Sequence, residues 1–287
     1  MYNNLQLVGL GERSGTVNSP FRPDLTAGQK LHPVTFEVLG PVCVNSHEQR
    51  RSVSARKVEI LFAALLARAE QSVGIDELIT ELWGERPPLR ATSALYVYVS
   101  QLRKFLIRAG CTGSVIETQH SGYMLHLGPH GLDVEAFLWL AQNGRQHVDR
   151  EEHEQAVAEF KRALGMWHGP ALGNLRDGPI VNGFATWIQE HRLECIEIMM
   201  QSNLALGRHR EIIGQLYSLT VDQPFRETFY RQLMIALYRS ERRADALNVY
   251  RAARETLRRD LGIDPGSALR TLHQEILTAD DRPGAIG

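Results

Sequence analysis

The sequence predicts a mainly α fold with a small β component, built in two parts. Three observations carry this. Strand-prone runs are confined to residues 34–54 and 115–127, three helical periods lie between them, and from Asp133 to about Leu277 helical periods alone remain. A chain of 287 residues suffices for about two domains. Hydrophobic residues make up 43% and charged residues 23%, the balance of a water-soluble globular chain.

The elements follow in order. Residues 1–32 scatter Gly9, Gly11, Gly15, Pro20, Pro23 and Gly28 among polar residues without a period, and read as a flexible leader. VTFEVLG then alternates over a short run before Gly40-Pro41 turns the chain, and VCVN and RRSVS follow as short strands. Three strands before any helix predict a small antiparallel sheet. Ser54 is placed to N-cap ARKVEILFAALLARA, whose core face is Val58, Leu61, Phe62, Leu65 and Leu66. Arg56 and Lys57 in its first turn oppose the helix dipole, so they read either as tolerated surface cations or as phosphate contacts.

GIDELITELWG is a second helix, with Ile75, Leu78, Ile79, Leu82 and Trp83 inward and Gly84 as its end. Pro87-Pro88 stiffens the link to the third helix, RATSALYVYVSQLRKFLIRAG. There Ala91, Leu95, Tyr98, Val99, Leu102, Leu106 and Ala109 recur at steps of three and four and share one face. Arg90, Ser93, Val97, Ser100, Gln101 and Lys104 fall on the other. VIETQHSGYMLHL follows as a hairpin turning at His120-Ser121-Gly122. Three helices and a terminal hairpin are the order of a winged helix-turn-helix, with the third helix for the major groove and the hairpin for the adjacent backbone.

GPHG (128–131) reads as a linker. Beyond it, LALGRHREIIGQLY and YRSERRADALNVY echo each other, with Arg208, Glu211 and Leu216 answering Arg242, Asp245 and Tyr250 at a spacing of 34. That is the tetratricopeptide period, and further helices must complete the stack. The predicted organisation is a leader (1–32), a winged helix-turn-helix domain (33–128), an all-α tetratricopeptide-like domain (133–279) and a tail (280–287).

Several function classes are disfavoured. Apolar runs are too short to span a bilayer, and the N-terminus lacks the basic-then-apolar order of a secretory signal. Cys43, Cys111 and Cys195 lie far apart, as free thiols in a reducing cytoplasm would. No metal or cofactor is expected. The chain has no glycine-rich phosphate loop, HExxH or Gly-x-Ser-x-Gly elbow, so catalysis is not expected. His120, His126 and His130 read as a surface hairpin without carboxylate partners, His147 and His153 as solvated, and Asp149 as a helix cap. Trp83 and Trp167 read as core residues. Net charge is -1, yet residues 50–108 hold ten Lys and Arg against six Asp and Glu, leaving -5 for the remainder. A local basic excess suits a DNA-binding module beside a protein-binding one.

FEVLGPV, the Leu/Ala-rich first helix, DELITELWGERPP, SALYVYVSQLRKFL and SGYMLHL resemble the Streptomyces antibiotic regulatory protein (SARP) family. The stretches DVEAFLWLAQNGR and QPFRETFYRQLMIALYRSERRADALNVYRAARETLRRDLGIDPGSALRTLHQEIL resemble that family's bacterial transcriptional activation domain. The resemblance covers about residues 33–279 and suggests a small, two-domain member. It implies a cytoplasmic, nucleoid-associated activator. Such a protein binds direct repeats in double-stranded promoter DNA near the -35 element. It self-associates there and recruits RNA polymerase holoenzyme, including the sigma factor, to antibiotic biosynthetic genes. Arg90, Ser93, Val97 and Ser100 are the expected base readers, Val97 against a thymine methyl. Arg56, Lys57, Thr92, Tyr96, Arg103, Lys104, His120 and Ser121 are the expected backbone contacts, and Tyr123 is expected to anchor the hairpin. Tyr96 and Tyr98 are bulky for such a helix.

Two other classes compete: a tetratricopeptide-like scaffold for a peptide or small ligand with a vestigial winged domain, and an enzyme. A salt-dependent shift of promoter DNA separates the first from the scaffold. Truncation near His130 is expected to leave a folded, DNA-binding fragment that does not activate.

Overall fold

In a computed structural model, residues 33–46, 49–175 and 177–278 are described. The leader and the tail at 280–287 lie outside them. The winged part begins with strands β1 (Val34–Glu37), β2 (Cys43–Ser46) and β3 (Gln49–Arg51), followed by helix α1 (Arg56–Ala67). Strand β4 (Ser72–Gly74), helices α2 (Ile75–Trp83) and α3 (Ala91–Arg108), and strands β5 (Ile116–Thr118) and β6 (Gly122–Leu125) complete it. Strand β7 (Gly131–Leu132) leads into α4 (Asp133–Asp149), α5 (His153–Gly165), α6 (Pro179–Ala205), α7 (His209–Asp222), α8 (Glu227–Arg239), α9 (Arg243–Leu261) and α10 (Ser267–Thr278). The expected class therefore stands: a winged helix-turn-helix, then a helical stack. No helix of the described residues is long and apolar enough to cross a membrane.

The first sheet has the order β3-β2-β1-β7. Its antiparallel pairs set Phe36 opposite Val44, and β7 joins in parallel with Leu132 opposite Phe36. Alternation along β1 sends Val34 and Phe36 inward, where Phe36 meets Phe62 of α1 edge-on at 5.8 Å. The second sheet, β4-β6-β5, is the wing. Gly122 is required there for close approach: a Cβ would lie 1.9 Å from the Val73 carbonyl oxygen on β4.

Helix α1 is buried nearly all round, including Ile60, Ala63 and Ala64 outside its expected core face. It packs against α2, α3 and α6, so it has no broad solvent side. Ala55, not Ser54, occupies its N-cap position, with no side-chain cap. Gly84 ends α2 at φ 64, as its position in the sequence predicts.

The helical stack repeats one turn three times. Glu151, Gly207 and Glu241 adopt φ of 59, 74 and 64. In each case the next amide donates back to the carbonyl five residues earlier: Glu152 to His147, Arg208 to Asn203, Arg242 to Leu237. The last two turns are the 34-residue echo; the first, between α4 and α5, shares the geometry without the sequence likeness. Asp149 is consequently the last residue of α4, and Glu152 stands at the N-cap position of α5 without a side-chain cap. The solvated reading of His147 also fails, since its Nδ1 lies 2.6 Å from Glu152.

Several buried hydrogen bonds join the two halves. Asp133, buried at the start of α4, accepts the Val38 amide at 3.0 and 2.9 Å and the Leu39 amide at 3.0 Å. The carbonyls of the same two residues accept the amides of Leu172 at 2.8 Å and His168 at 2.9 Å. Glu81 of α2, 1% exposed, accepts the Ile180 and Val181 amides at 2.7 and 3.1 Å, capping α6 from outside its own chain segment. Gly178 makes room, because a Cβ there would lie 2.3 Å from the Glu81 carboxyl carbon. GPHG is accordingly no loose linker: His130 is 2% exposed, and its Nε2 accepts the Thr112 amide at 3.2 Å.

Candidate nucleic-acid interface

Helix α3 is held from behind and open in front. Ala91, Leu95, Val99, Leu102 and Leu106 are buried, and Tyr98 stacks on Trp83 of α2 with ring centroids 6.0 Å apart. Thr92, Ser93, Tyr96, Val97, Ser100, Gln101 and Lys104 are exposed, Tyr96 at 51% and Val97 at 52%. Arg90, at the N-cap position, begins a stripe through Ser93, Val97, Ser100 and Lys104 that runs along the outer face. The side chains of Arg86, Arg90, Lys104 and Arg108 make no hydrogen bond or ion pair among the described residues, so their charge is available to a polyanion.

Three of the cations expected at the DNA backbone are engaged within the protein. The Arg56 guanidinium donates to Asp177 at 2.8 Å and to the Asn174 carbonyl at 3.2 Å, pinning α1 to the α5–α6 connection. The Lys57 ammonium donates to the Leu82 carbonyl and satisfies the last turn of α2. Arg103 donates from Nε and Nη2 to the Ile116 carbonyl at 3.2 and 2.9 Å, and from Nη2 to the Thr118 hydroxyl at 2.8 Å. It also lies over the Tyr123 ring at 5.9 Å, so it ties the wing to α3. Each of the three has an acceptor within the protein that competes with its expected phosphate role. Sequence spacing cannot reveal partners 13 to 121 residues away.

The wing tip leaves His120 and Ser121 exposed, on a hairpin that Arg103 ties to α3. The Ser121 carbonyl accepts the Ile75 amide at 3.0 Å, and Tyr123 is 5% exposed and anchors the hairpin as expected. Burial raises the Tyr123 pKa, with Tyr96 adding to the rise, which marks Tyr96 as a neighbour of the wing. His126 departs from its reading as a partnerless surface residue. Its Nδ1 lies 2.9 Å from Glu70 and its Nε2 2.8 Å from Glu117. Hydrogen bonds to Glu117 and then Glu70 raise its pKa. Those carboxylates sit on separate elements, so spacing alone does not show them.

Burial pushes the thiols of Cys43 and Cys195 up to about 12 and that of Cys111 up to about 11, so none is a thiolate nucleophile near neutrality. Among the described residues, no group of three or more His, Cys, Asp or Glu is arranged to hold a metal ion.

Residues 48–125 match the family described as "Transcriptional regulatory protein, C terminal", and residues 132–277 match "Bacterial transcriptional activator domain". Regulatory protein DnrI of Streptomyces peucetius is 35% identical over 258 residues, covering 87% of this chain and 95% of that protein. The chain belongs to the Streptomyces antibiotic regulatory protein family. SARP proteins are transcriptional regulators, and this one pairs the family's DNA-binding and activation domains. Transcriptional regulator RedD of Streptomyces coelicolor is 34% identical over 86% of this chain and 71% of its own length. A solved structure of Mycobacterium tuberculosis EmbR in complex with a low affinity phosphopeptide matches with a TM-score of 0.79 and 35% identity. The match covers 86% of this chain and 65% of that one.

Proposed function

We propose that this SARP protein binds direct repeats of promoter DNA near the -35 element. There it recruits RNA polymerase holoenzyme through the sigma factor to secondary-metabolite biosynthetic genes. It acts in the cytoplasm, on the nucleoid, and without a catalytic step of its own. The observation that carries the reading is the outward stripe from Arg90 to Lys104, on the helix to which Arg103 ties the wing. Arg90, Ser93, Val97 and Ser100 meet base edges; Thr92, Tyr96, Lys104, His120 and Ser121 meet the sugar-phosphate backbone. Arg56, Lys57 and Arg103 shape the domain instead. Residues 33–128 read DNA and 133–279 contact protein, including a second copy on the neighbouring repeat, side by side without a two-fold axis.

One surface suits the polymerase contact. Leu89 is 108% exposed on the α2–α3 connection, directly after Pro87-Pro88. A leucine that fully solvated, on a loop stiffened by two prolines, is a preorganised apolar anchor beside the DNA.

The test is footprinting on upstream regions of neighbouring genes, with binding measured across a salt series. Lys104→Ala is expected to weaken binding to all sequences alike and to reduce the salt slope by about one unit. A change of base preference at one position in that variant would remove Lys104 from the backbone set. Leu89→Ala is expected to keep the footprint and lower transcription in a purified assay; unchanged transcription would remove this loop from the activation surface.

A further inference from the structure

The winged domain carries an apolar notch at one end of α3 and an apolar knob at the other. The notch has a volume of about 110 Å³ and lies between the C-terminal end of α3 and β5, walled by Leu106, Ile107, Cys111, Val115 and Ile116. Ile107, 69% exposed, forms its lip; the other four are buried. Arg103 borders the notch, but its guanidinium is engaged by the Ile116 carbonyl and the Thr118 hydroxyl. The guest is therefore selected by shape and apolar surface, not by charge. An apolar cavity of about 150 Å³ holds a six-carbon ring, so one of about 110 Å³ holds about four carbons, the size of a leucine side chain.

Leu89 is such a side chain, fully solvated on the α2–α3 connection. The Ala91 amide donates to the Pro88 carbonyl at 3.0 Å and closes a turn around it. The whole of α3, 18 residues and about 27 Å long, separates knob from notch, so no copy fills its own notch. Copies on direct repeats are related by translation along the DNA. Each therefore shows its neighbour one surface and receives a different one. A knob and a notch at opposite ends of the DNA-reading helix meet that requirement. We propose that Leu89 of one copy seats in the Ile107 notch of the next copy along the DNA. This contact rests on the direct-repeat reading above and adds a winged-domain contact to the one assigned to the helical stack. The pair leaves one knob unfilled, so the Leu89 of the end copy stays free for the polymerase.

The experiment titrates the full chain onto the footprinted promoter DNA, with both repeats intact and with one scrambled. Cooperativity is read as the gain in affinity for the second repeat once the first is filled. Leu89→Ala, which removes the knob, and Ile107→Gln, which puts an amide at the lip of the notch, are each expected to lower it about tenfold. Neither is expected to change the affinity for a single repeat or the melting temperature. A mixture of the two variants is expected to recover part of the cooperativity. In one of the two mixed orders, the Leu89 of an Ile107→Gln copy meets the intact notch of a Leu89→Ala copy. Unchanged cooperativity in either variant, or no recovery in the mixture, would overturn the contact while leaving the direct-repeat reading in place. A loss of single-repeat affinity in Ile107→Gln would overturn it by assigning the notch to the DNA. Protection of one repeat alone by the wild type would overturn the direct-repeat reading and this contact with it.

Discussion

Asp133 is the residue on which the join between the halves turns. Its carboxylate accepts the Val38 and Leu39 amides, and burial pushes its pKa up to about 7, further than those amides pull it down. In the unfolded chain such a group titrates at about 3.9. The folded chain therefore holds this proton more tightly than the unfolded chain does. The stability tied to the proton is fully present below about pH 4 and is lost as pH rises towards 7. Melting curves from pH 5 to 8 are expected to show falling stability, and Asp133→Asn is expected to flatten that trend. The same variant replaces one acceptor oxygen with an amide N–H2 that faces the Val38 N–H. It should cost about 1–3 kcal/mol at low pH, the penalty for a buried donor left without an acceptor. A pH profile parallel to the wild type's would show that another group titrates. His126, with its pKa also raised, acts in the same direction in both proteins and so cancels from the comparison.

At the level of elements, the wing depends on contacts its own sequence does not contain. It hangs on Gly122, which lets β6 lie against β4, and on Arg103, which ties it to α3. Gly122→Ala would force a methyl group into the Val73 carbonyl and should separate β4 from β6. The expected outcome is a loss of about 1–3 kcal/mol, the usual scale of overpacking, together with weaker DNA binding. By contrast, replacing His120-Ser121 with Gly-Gly at the exposed tip should lower DNA affinity and leave the melting temperature nearly unchanged. Unchanged affinity would place the tip outside the interface. Helix α2 is the second element with a remote dependence, since its Glu81 caps α6. Glu81→Ala leaves the Ile180 and Val181 amides bare at the seam, whereas Glu81→Gln keeps one acceptor oxygen and should cost less.

At the scale of the whole molecule, the boundary near His130 is a seam and not a tether. A fragment ending there loses β7 from the sheet, the Asp133 acceptor for two amides, and the α6 cover on α1. The sequence predicts that such a fragment folds. The contacts across the seam argue the other way, and residues 33–130 alone are expected to melt without a cooperative transition. A sigmoidal melt in that fragment would restore independent domains. The acidity opposite the basic winged part is also uneven. Residues 133–222 hold thirteen Asp and Glu against eight Lys and Arg, while residues 223–278 hold seven against ten. The helical stack is therefore acidic at its start and basic towards its end.

Periodicity determined the three helices of the winged part and the open face of α3, and turn chemistry the wing hairpin, because apolar spacing and a glycine turn are local properties of the chain. The 34-residue echo likewise exposed two of the three repeated turns. Tertiary structure alone decided the rest. It showed that α1 is covered on nearly every side, that β7 completes a sheet belonging to the other half, and that Arg56, Lys57 and Arg103 are spoken for. These are questions of which distant groups share a small volume. A charged side chain looks free in a sequence until the carbonyl or carboxylate that satisfies it, here as much as 121 residues away, is brought within 3 Å.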